Sequence, residues 1–217
     1  KVGDGMNLLL DPSDHVTRSD VKKPVMTHYY NKSRQAGLSE NQENAFNAVL
    51  NCSFSGAEDV MEIINECWDS NALKHSWSTP DGHIADVKVI EAVDTRIEVD
   101  ELDHTTFTYR YSNNQPSTRH TSLCPNYVHS LDAWVAREMV RMADSQGFQL
   151  AHIHDSFWAS PNHMNKVRSN YTEILADLAN SNALSTFIKD VTGDTLMLVK
   201  DSNDLSKDIL NSEYALS

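Results

Sequence analysis

Ala151-His-Ile-His-Asp-Ser-Phe-Trp158 is the stretch on which the reading of this chain turns. Apolar and aromatic residues flank a small polar tip, the pattern of a β-hairpin. It predicts a strand through Phe148, Leu150 and Ile153, a turn centred on His154, Asp155 and Ser156, and a return through Phe157 and Trp158. A carboxylate at such a tip is lifted out of the apolar layer and can hold a hard cation such as Mg²⁺. A lone turn aspartate is more often simply solvated, so Asp155 acquires meaning only from its company.

That company lies upstream, in Val16-Thr-Arg-Ser-Asp-Val-Lys-Lys-Pro-Val-Met-Thr-His-Tyr-Tyr-Asn31 and in Cys124-Pro-Asn-Tyr-Val-His-Ser130. The first predicts a helix from Asp20 or Val21 to about Ser33, capped by Asp20. On it Lys22, Met26 and Tyr30 share a face, with Lys23, Thr27 and Asn31 beside it. A basic first turn followed by an aromatic one suits a nucleotide: N–H groups and lysines meet phosphate, and the tyrosine ring lies near base and sugar. Read alone, the same residues make a surface helix with a basic first turn. Pro24 implies that this helix begins later or is kinked.

Composition argues the other way. Lys and Arg number 18 against 31 Asp and Glu, a formal net charge of −13, where a protein gripping a polyanion should show basic surface. Either the positive charge is concentrated in one groove, or another polypeptide supplies it. The 217 residues, 40% hydrophobic, suffice for one sizeable domain or two small lobes. No apolar run is long enough to span a bilayer, and the start shows no signal segment, so no membrane partner is expected. Cys52, Cys67 and Cys124 are scattered, without a CxxC pair, as suits reduced and mostly buried thiols in a cytoplasmic protein.

Elsewhere the pattern is that of a packed scaffold. Residues 1–15 read as a loose lead-in with one helical turn. Ser39-Glu-Asn-Gln42 and Ser55-Gly-Ala-Glu58 fit capping boxes opening helices of about 40–50 and 56–69, the second with an apolar stripe of Val60, Ile63, Ile64 and Cys67. Trp77 to Gly82 suits a proline-led turn, and residues 83–111 alternate as strands, with the acidic Asp100-Glu-Leu-Asp103 between two of them and a polar loop, 112–122, after them. A helix of about Ser130 to Ser145 follows, with His129 at its start, then helices of about 162–180 and 182–190. The tail is expected to pack back through Ile209 and Tyr214.

Taken in this order, the stretches resemble the T-seven-like single-subunit RNA polymerases of phages and mitochondria. VTRSxxKKxVMTxxY is similar to motif B, PNYVHS to the start of the family's palm helix, and HDSF to motif C. Trp77-Ser-Thr-Pro-Asp-Gly82 and the ending Asp208-Ile-Leu-Asn-Ser-Glu-Tyr-Ala-Leu-Ser217 extend the resemblance, and the ending implies that Ser217 is at or near the natural terminus. The implied fold is α+β, the fingers and palm portions of a right-hand polymerase, mostly helical with β-hairpins. Residues 1–128 would be fingers and 129–217 the C-terminal part of the palm.

The resemblance also assigns roles. Arg18 and Lys22 would hold the triphosphate, and Lys22 would protonate the departing pyrophosphate. Lys23 stands where an arginine is usual, and Tyr30 matches the tyrosine that helps select ribonucleotides. His129 would reach the minor groove of the new RNA–DNA pair, and Asp155 would be a catalytic metal ligand. Two departures stand out: Asn31 replaces the glycine that usually follows the tyrosine, and the region that reads promoter DNA in the family is shorter and acidic here, which disfavours duplex contact.

Nucleotide addition by two metal ions about 4 Å apart requires at least two carboxylates. The family's other catalytic aspartate lies in a motif A of the form DGxCxGxQH upstream of motif B; Asp4-Gly5 and Asp81-Gly82 lack its flanking pattern. A split enzyme is therefore expected: a second subunit carries motif A, two Mg²⁺ are shared with it, and DNA template, RNA transcript and ribonucleoside triphosphates are the other partners. The heterodimeric RNA polymerase II of phage N-four and its relatives is the arrangement most resembled, which places the protein in the cytoplasm of an infected bacterium. A cleaved piece of a one-chain polymerase would read the same. The competing classes are part of a family A DNA polymerase, disfavoured by Ser156 after Asp155, and a non-catalytic regulatory subunit that keeps the fold.

Overall fold

The computed structural model describes residues 1–30, 37–89, 91–113, 122–196 and 205–212. It is α+β, mostly helical with three antiparallel hairpins among the described residues. The chain folds as two compact units: Lys1–His75 with Val87–Pro125, and Ser76–Asp86 with Asn126–Ser217.

In the first unit α1 (Val2–Asn7), α2 (Arg18–His28) and α3 (Glu40–Ser53) enclose a core of Met6, Val16, Val21, Ala45, Phe46, Val49 and Leu50. The expected loose lead-in is instead tied down. Met6 is fully buried, and a Cβ on Gly5 would lie 3.1 Å from both methyl carbons of Val49, so the bare backbone is what lets α1 approach α3. Asn7 then brackets Val16, its Nδ2 donating to the Val16 carbonyl at 2.9 Å and its Oδ1 accepting from the Val16 N–H at 2.8 Å.

Helix α3 begins as its sequence predicts: the Ser39 N–H donates to Gln42 Oε1 at 3.0 Å, and the Gln42 N–H to Ser39 Oγ at 3.3 Å. The second expected box does not form. Ser55 is the first residue of α4 (Ser55–Glu66), and the residue before it, Phe54, closes α3 through its N–H to the Leu50 carbonyl. With one residue between the helices there is no extended position for Ser55 to cap from. Ile64 of the predicted stripe is buried, and Val60, Ile63 and Cys67 are half-buried.

Strand β1 (Lys74–Ser78) pairs with β2 (Ile84–Lys88), and β3 (Glu91–Val99) pairs antiparallel with β4 (Thr105–Asn113), Val99 opposite Thr105. The acidic segment between β3 and β4 is a 3₁₀ turn, Asp100–Leu102, after which Asp103 and His104 both take left-handed backbone, φ 56° and 58°. Most of the polar loop after Ser112, from 114 to 121, lies outside the described residues.

The second unit is built on α5 (Leu123–Ser145), which begins before the expected Ser130. Pro125 falls in the first turn, where its missing N–H forfeits no helical bond, so the proline starts this helix instead of delaying it. Trp134, Val135, Met139 and Ala143 of α5 pack with Phe148 and with Val167 and Ile174 of α6 (Met164–Asn180). Helix α7 (Ala183–Thr192) adds Phe187 and Ile188 to the buried set, and α8 (Leu205–Leu210) lies against α6 with Ile209 half-buried; Tyr214 is outside the described residues.

Candidate active site

Helix α2 begins earlier than its sequence suggested. Thr17 is the N-cap, and Asp20 sits at the third helical position, its Oδ2 accepting from the Thr17 N–H at 2.8 Å and Oγ1 at 2.7 Å. Those bonds hold the Asp20 carboxyl below its usual range. Pro24 lies inside the helix, and one turn on Thr27 Oγ1 donates back to the carbonyls of Lys23 at 2.9 Å and Pro24 at 3.2 Å.

The buried side of α2 carries Val21 and Pro24, and so the opposite side presents Arg18, Lys22, Lys23 and Met26 to solvent. Arg18 and Lys22 are one helical turn apart. Contrary to the expectation of a helix to about Ser33, Tyr30 is not on it: α2 ends at His28, and Tyr30 follows in a turn through its N–H to the Thr27 carbonyl at 3.2 Å. The remaining expected helical residues, Asn31 to Ser33, lie outside the described residues. The end of α2 is fixed by Glu58 of α4, whose Oε2 is 2.7 Å from His28 Nε2. The same carboxylate, after burial, is the reason that the Tyr29 hydroxyl is pushed up to about 12.

In the second unit β5 (Ala151–Ile153) and β6 (Ser156–Trp158) form the predicted hairpin, in the register Ala151 to Trp158, His152 to Phe157 and Ile153 to Ser156. It is tighter than expected. Ser156 is a strand residue, the turn is His154-Asp155 alone, and Phe148 and Leu150 precede the strand. His154 takes φ 53°, a left-handed conformation that a two-residue hairpin loop demands and a histidine adopts at a cost. Phe157 turns inward to Tyr171 of α6, ring centroids 6.1 Å apart, and Asp155 stands exposed at the tip.

Helix α5 brings further groups to this hairpin. His129 lies inside the helix, not at its start, and is exposed; Asp132, one turn on, is the residue that spacing alone did not single out. Burial pushes the Asp132 carboxyl up, His129 draws it back down, and the negative charge of Asp155 raises it further. The Tyr171 hydroxyl is raised by burial and then by Asp132 and Asp155. His129, Asp132, Asp155 and Tyr171 therefore share one electrostatic neighbourhood. Its only sequence trace is the three-residue step from His129 to Asp132, which puts both on one helix face.

What holds α5 in place is the Trp77-Ser-Thr-Pro-Asp-Gly82 stretch. Trp77, 2% exposed, donates from Nε1 to Ser130 Oγ at 2.9 Å, and Ser130 Oγ donates in turn to the Tyr127 carbonyl at 2.7 Å. Its ring meets Phe187 at 5.3 Å, and Phe187 meets Tyr127 at 4.3 Å. Two turns along α5, Arg137 forks onto Asp81, Nε to Oδ2 at 2.7 Å and Nη2 to Oδ1 at 2.9 Å, while Thr79 Oγ1 donates to Asp81 Oδ1 at 2.6 Å. The Arg137 bonds hold the Asp81 carboxyl far below its usual range. Asp81 is thus a structural ion-pair partner, which explains the TPDG sequence without catalysis.

As a hard oxygen donor on an exposed tip, Asp155 fits one ligand position of a Mg²⁺ ion. Among the described residues the three metal-type side chains that converge within 4.8 Å are Glu98, Asp100 and His104, at the far end of the β3–β4 hairpin. No curated protein matches the chain. The model of one family, DNA-dependent RNA polymerase, matches residues 76–213. That span takes in the Trp77–Gly82 clamp, the whole of α5 and the β5–β6 hairpin, and covers more than half of the 217 residues. The chain belongs to the DNA-dependent RNA polymerase family.

Proposed function

We propose that this chain is the motif B and motif C part of a DNA-directed RNA polymerase, a nucleotidyltransferase that is incomplete until a second chain supplies motif A. The observation that carries the reading is Asp155: an exposed carboxylate at the apex of a two-residue turn, beside a helix that displays His129 and Asp132. In this reading Asp155 is a ligand for Mg²⁺. Bound there with a motif A aspartate, the ions would favour loss of the 3′-hydroxyl proton and offset charge on the triphosphate.

The chain's own groups do the rest. Arg18, Lys22 and Lys23 on the solvent side of α2 bind the triphosphate, and the Lys22 ammonium gives its proton to the leaving pyrophosphate. Tyr30 contributes to the preference for ribonucleotides, and His129 orients the terminal base pair of the RNA–DNA hybrid. Residues 1–128 act as fingers and 129–217 as the end of the palm. DNA template, RNA product and ribonucleoside triphosphates are the ligands, and an infected bacterial cytoplasm is the setting proposed from the resemblance to phage enzymes.

The deciding experiment is RNA synthesis on single-stranded DNA with Mg²⁺, using this chain, its co-purifying chain, and the mixture. Activity confined to the mixture and lost on Asp155→Ala carries the proposal. Activity from this chain alone places the second carboxylate within these residues, and unchanged activity of Asp155→Ala in the mixture makes the chain a regulatory subunit.

A further inference from the structure

The β3–β4 hairpin has two chemically different faces. In its register Ile97 stands opposite Phe107, Thr95 opposite Tyr109 and Val93 opposite Tyr111, so these six side chains line one face. That face is open to solvent: Ile97 is 48% exposed, Phe107 and Tyr109 46%, and Tyr111 43%. The tyrosine rings stack along β4 with centroids 5.6 Å apart. The other face is polar and internally satisfied where Arg110 Nε meets Asp94 Oδ1 at 2.7 Å. An exposed aromatic face of this kind is the composition of an interface, since tyrosine supplies large, stiff contact area at little entropic cost.

The surrounding charge selects the occupant. At the turn that closes this face stand three carboxylates, Asp100, Glu101 and Asp103, and residues 97–109 contain no lysine or arginine, while Asp94, Arg96, Glu98 and Arg110 belong to the polar face. Stacked tyrosines could serve as a platform for bases, but phosphates would meet this acidic rim, and strand binding draws its strength from the opposite charge. A second copy of the chain would set the same carboxylates against one another. We infer that the aromatic face of the β3–β4 hairpin is a docking surface for a separate polypeptide that presents apolar side chains between lysines or arginines. The assignment is independent of the catalytic reading of Asp155.

The test uses the full chain and two labelled peptides, Lys-Leu-Lys-Phe-Lys-Leu-Lys-Phe and its counterpart with Glu for Lys, read by fluorescence anisotropy at ~0.15 M salt, where weakly held surface charge is screened. The wild-type chain should bind the lysine peptide at least ~10-fold more tightly than does the charge-neutral variant Phe107→Ser/Tyr109→Ser/Tyr111→Ser, a loss of about 1.4 kcal/mol. A second variant, Asp100→Lys/Glu101→Lys/Asp103→Lys, leaves the rings alone and should shift preference to the glutamate peptide, which keeps the test valid if the triple serine variant misfolds. Equal affinity of the wild-type and serine variants for the lysine peptide overturns the inference in favour of charge alone. Tyrosine-dependent binding of oligothymidylate in preference to the peptide overturns it in favour of nucleic acid. A sedimenting dimer abolished by the serine substitutions overturns it in favour of a second copy.

Discussion

Arg137 and Asp81, fifty-six positions apart, form a forked ion pair with both hydrogen bonds under 3 Å, and the Asp81 side chain is 4% exposed against 31% for Arg137. Because the folded state holds the Asp81 carboxyl below its unfolded range, the pair's contribution is present above about pH 4 and is lost as pH falls toward the folded value. Urea unfolding of the wild-type chain should therefore lose stability steadily below pH 4. Arg137→Gln should be less stable at pH 7 by about 2–3 kcal/mol and show a flatter acid limb. Parallel limbs for the two proteins would remove the pair from the stability of this unit.

Trp77 couples packing to a hydrogen bond, so two substitutions separate the contributions. Trp77→Phe keeps a ring against Phe187 and gives up the bond to Ser130, a cost of about 1–2 kcal/mol. Trp77→Ala also empties a fully enclosed site and should cost about 3–5 kcal/mol, with a matching fall in thermal midpoint. Equal losses would mean that the hydrogen bond, not the ring, dominates.

His154 pays for its left-handed backbone. His154→Gly should raise stability by about 1 kcal/mol, whereas His154→Val, branched at Cβ, should lower it. Chemical denaturation of the two variants reads the difference directly, and a destabilising glycine would show that the imidazole makes a compensating contact.

Tyr30→Phe keeps the ring of this exposed residue and removes only the hydroxyl to which the proposed function gives a part in nucleotide choice. On the proposed function, the variant mixed with its motif A chain should incorporate deoxynucleotides at least ~10-fold more readily relative to ribonucleotides, as follows when a polar group that reads a hydroxyl is deleted. Competition between the two nucleotide types on one template measures it.

Local chemistry was legible at some one-turn pairs and not at others: the Ser55 and Glu58 box failed because Phe54, closing α3, takes the cap position of α4. The Ser39 and Gln42 box and the hairpin around Asp155 appear where spacing puts them. The start of α2 was displaced because Thr17 and Asp20 are both capping types, and only the tertiary burial of Val21 and Pro24 decides which takes the extended conformation. The start of α5 was displaced because a proline three residues into a helix reads locally like a barrier. Asp132, Arg137 with Asp81, and Trp77 with Ser130 were illegible for one reason: each depends on a neighbour brought close by the fold, which no periodicity encodes.

The two clamps on α5 act as a ruler. Ser130 and Arg137 are seven residues apart, two turns or about 10.5 Å of helix, and they engage two points, Trp77 and Asp81, that are fixed on one short segment. Between them Trp134 and Val135 enter the core and Asp132 faces the hairpin charge, so the same spacing that sets the clamps also sets which side chains face inward. Chain length cannot change, because one inserted residue would swing Arg137 about 100° around the helix and away from Asp81. Variation in this part of the family should therefore avoid insertions or deletions, with the length of α5 between its clamps held constant and substitutions confined to its solvent-facing positions.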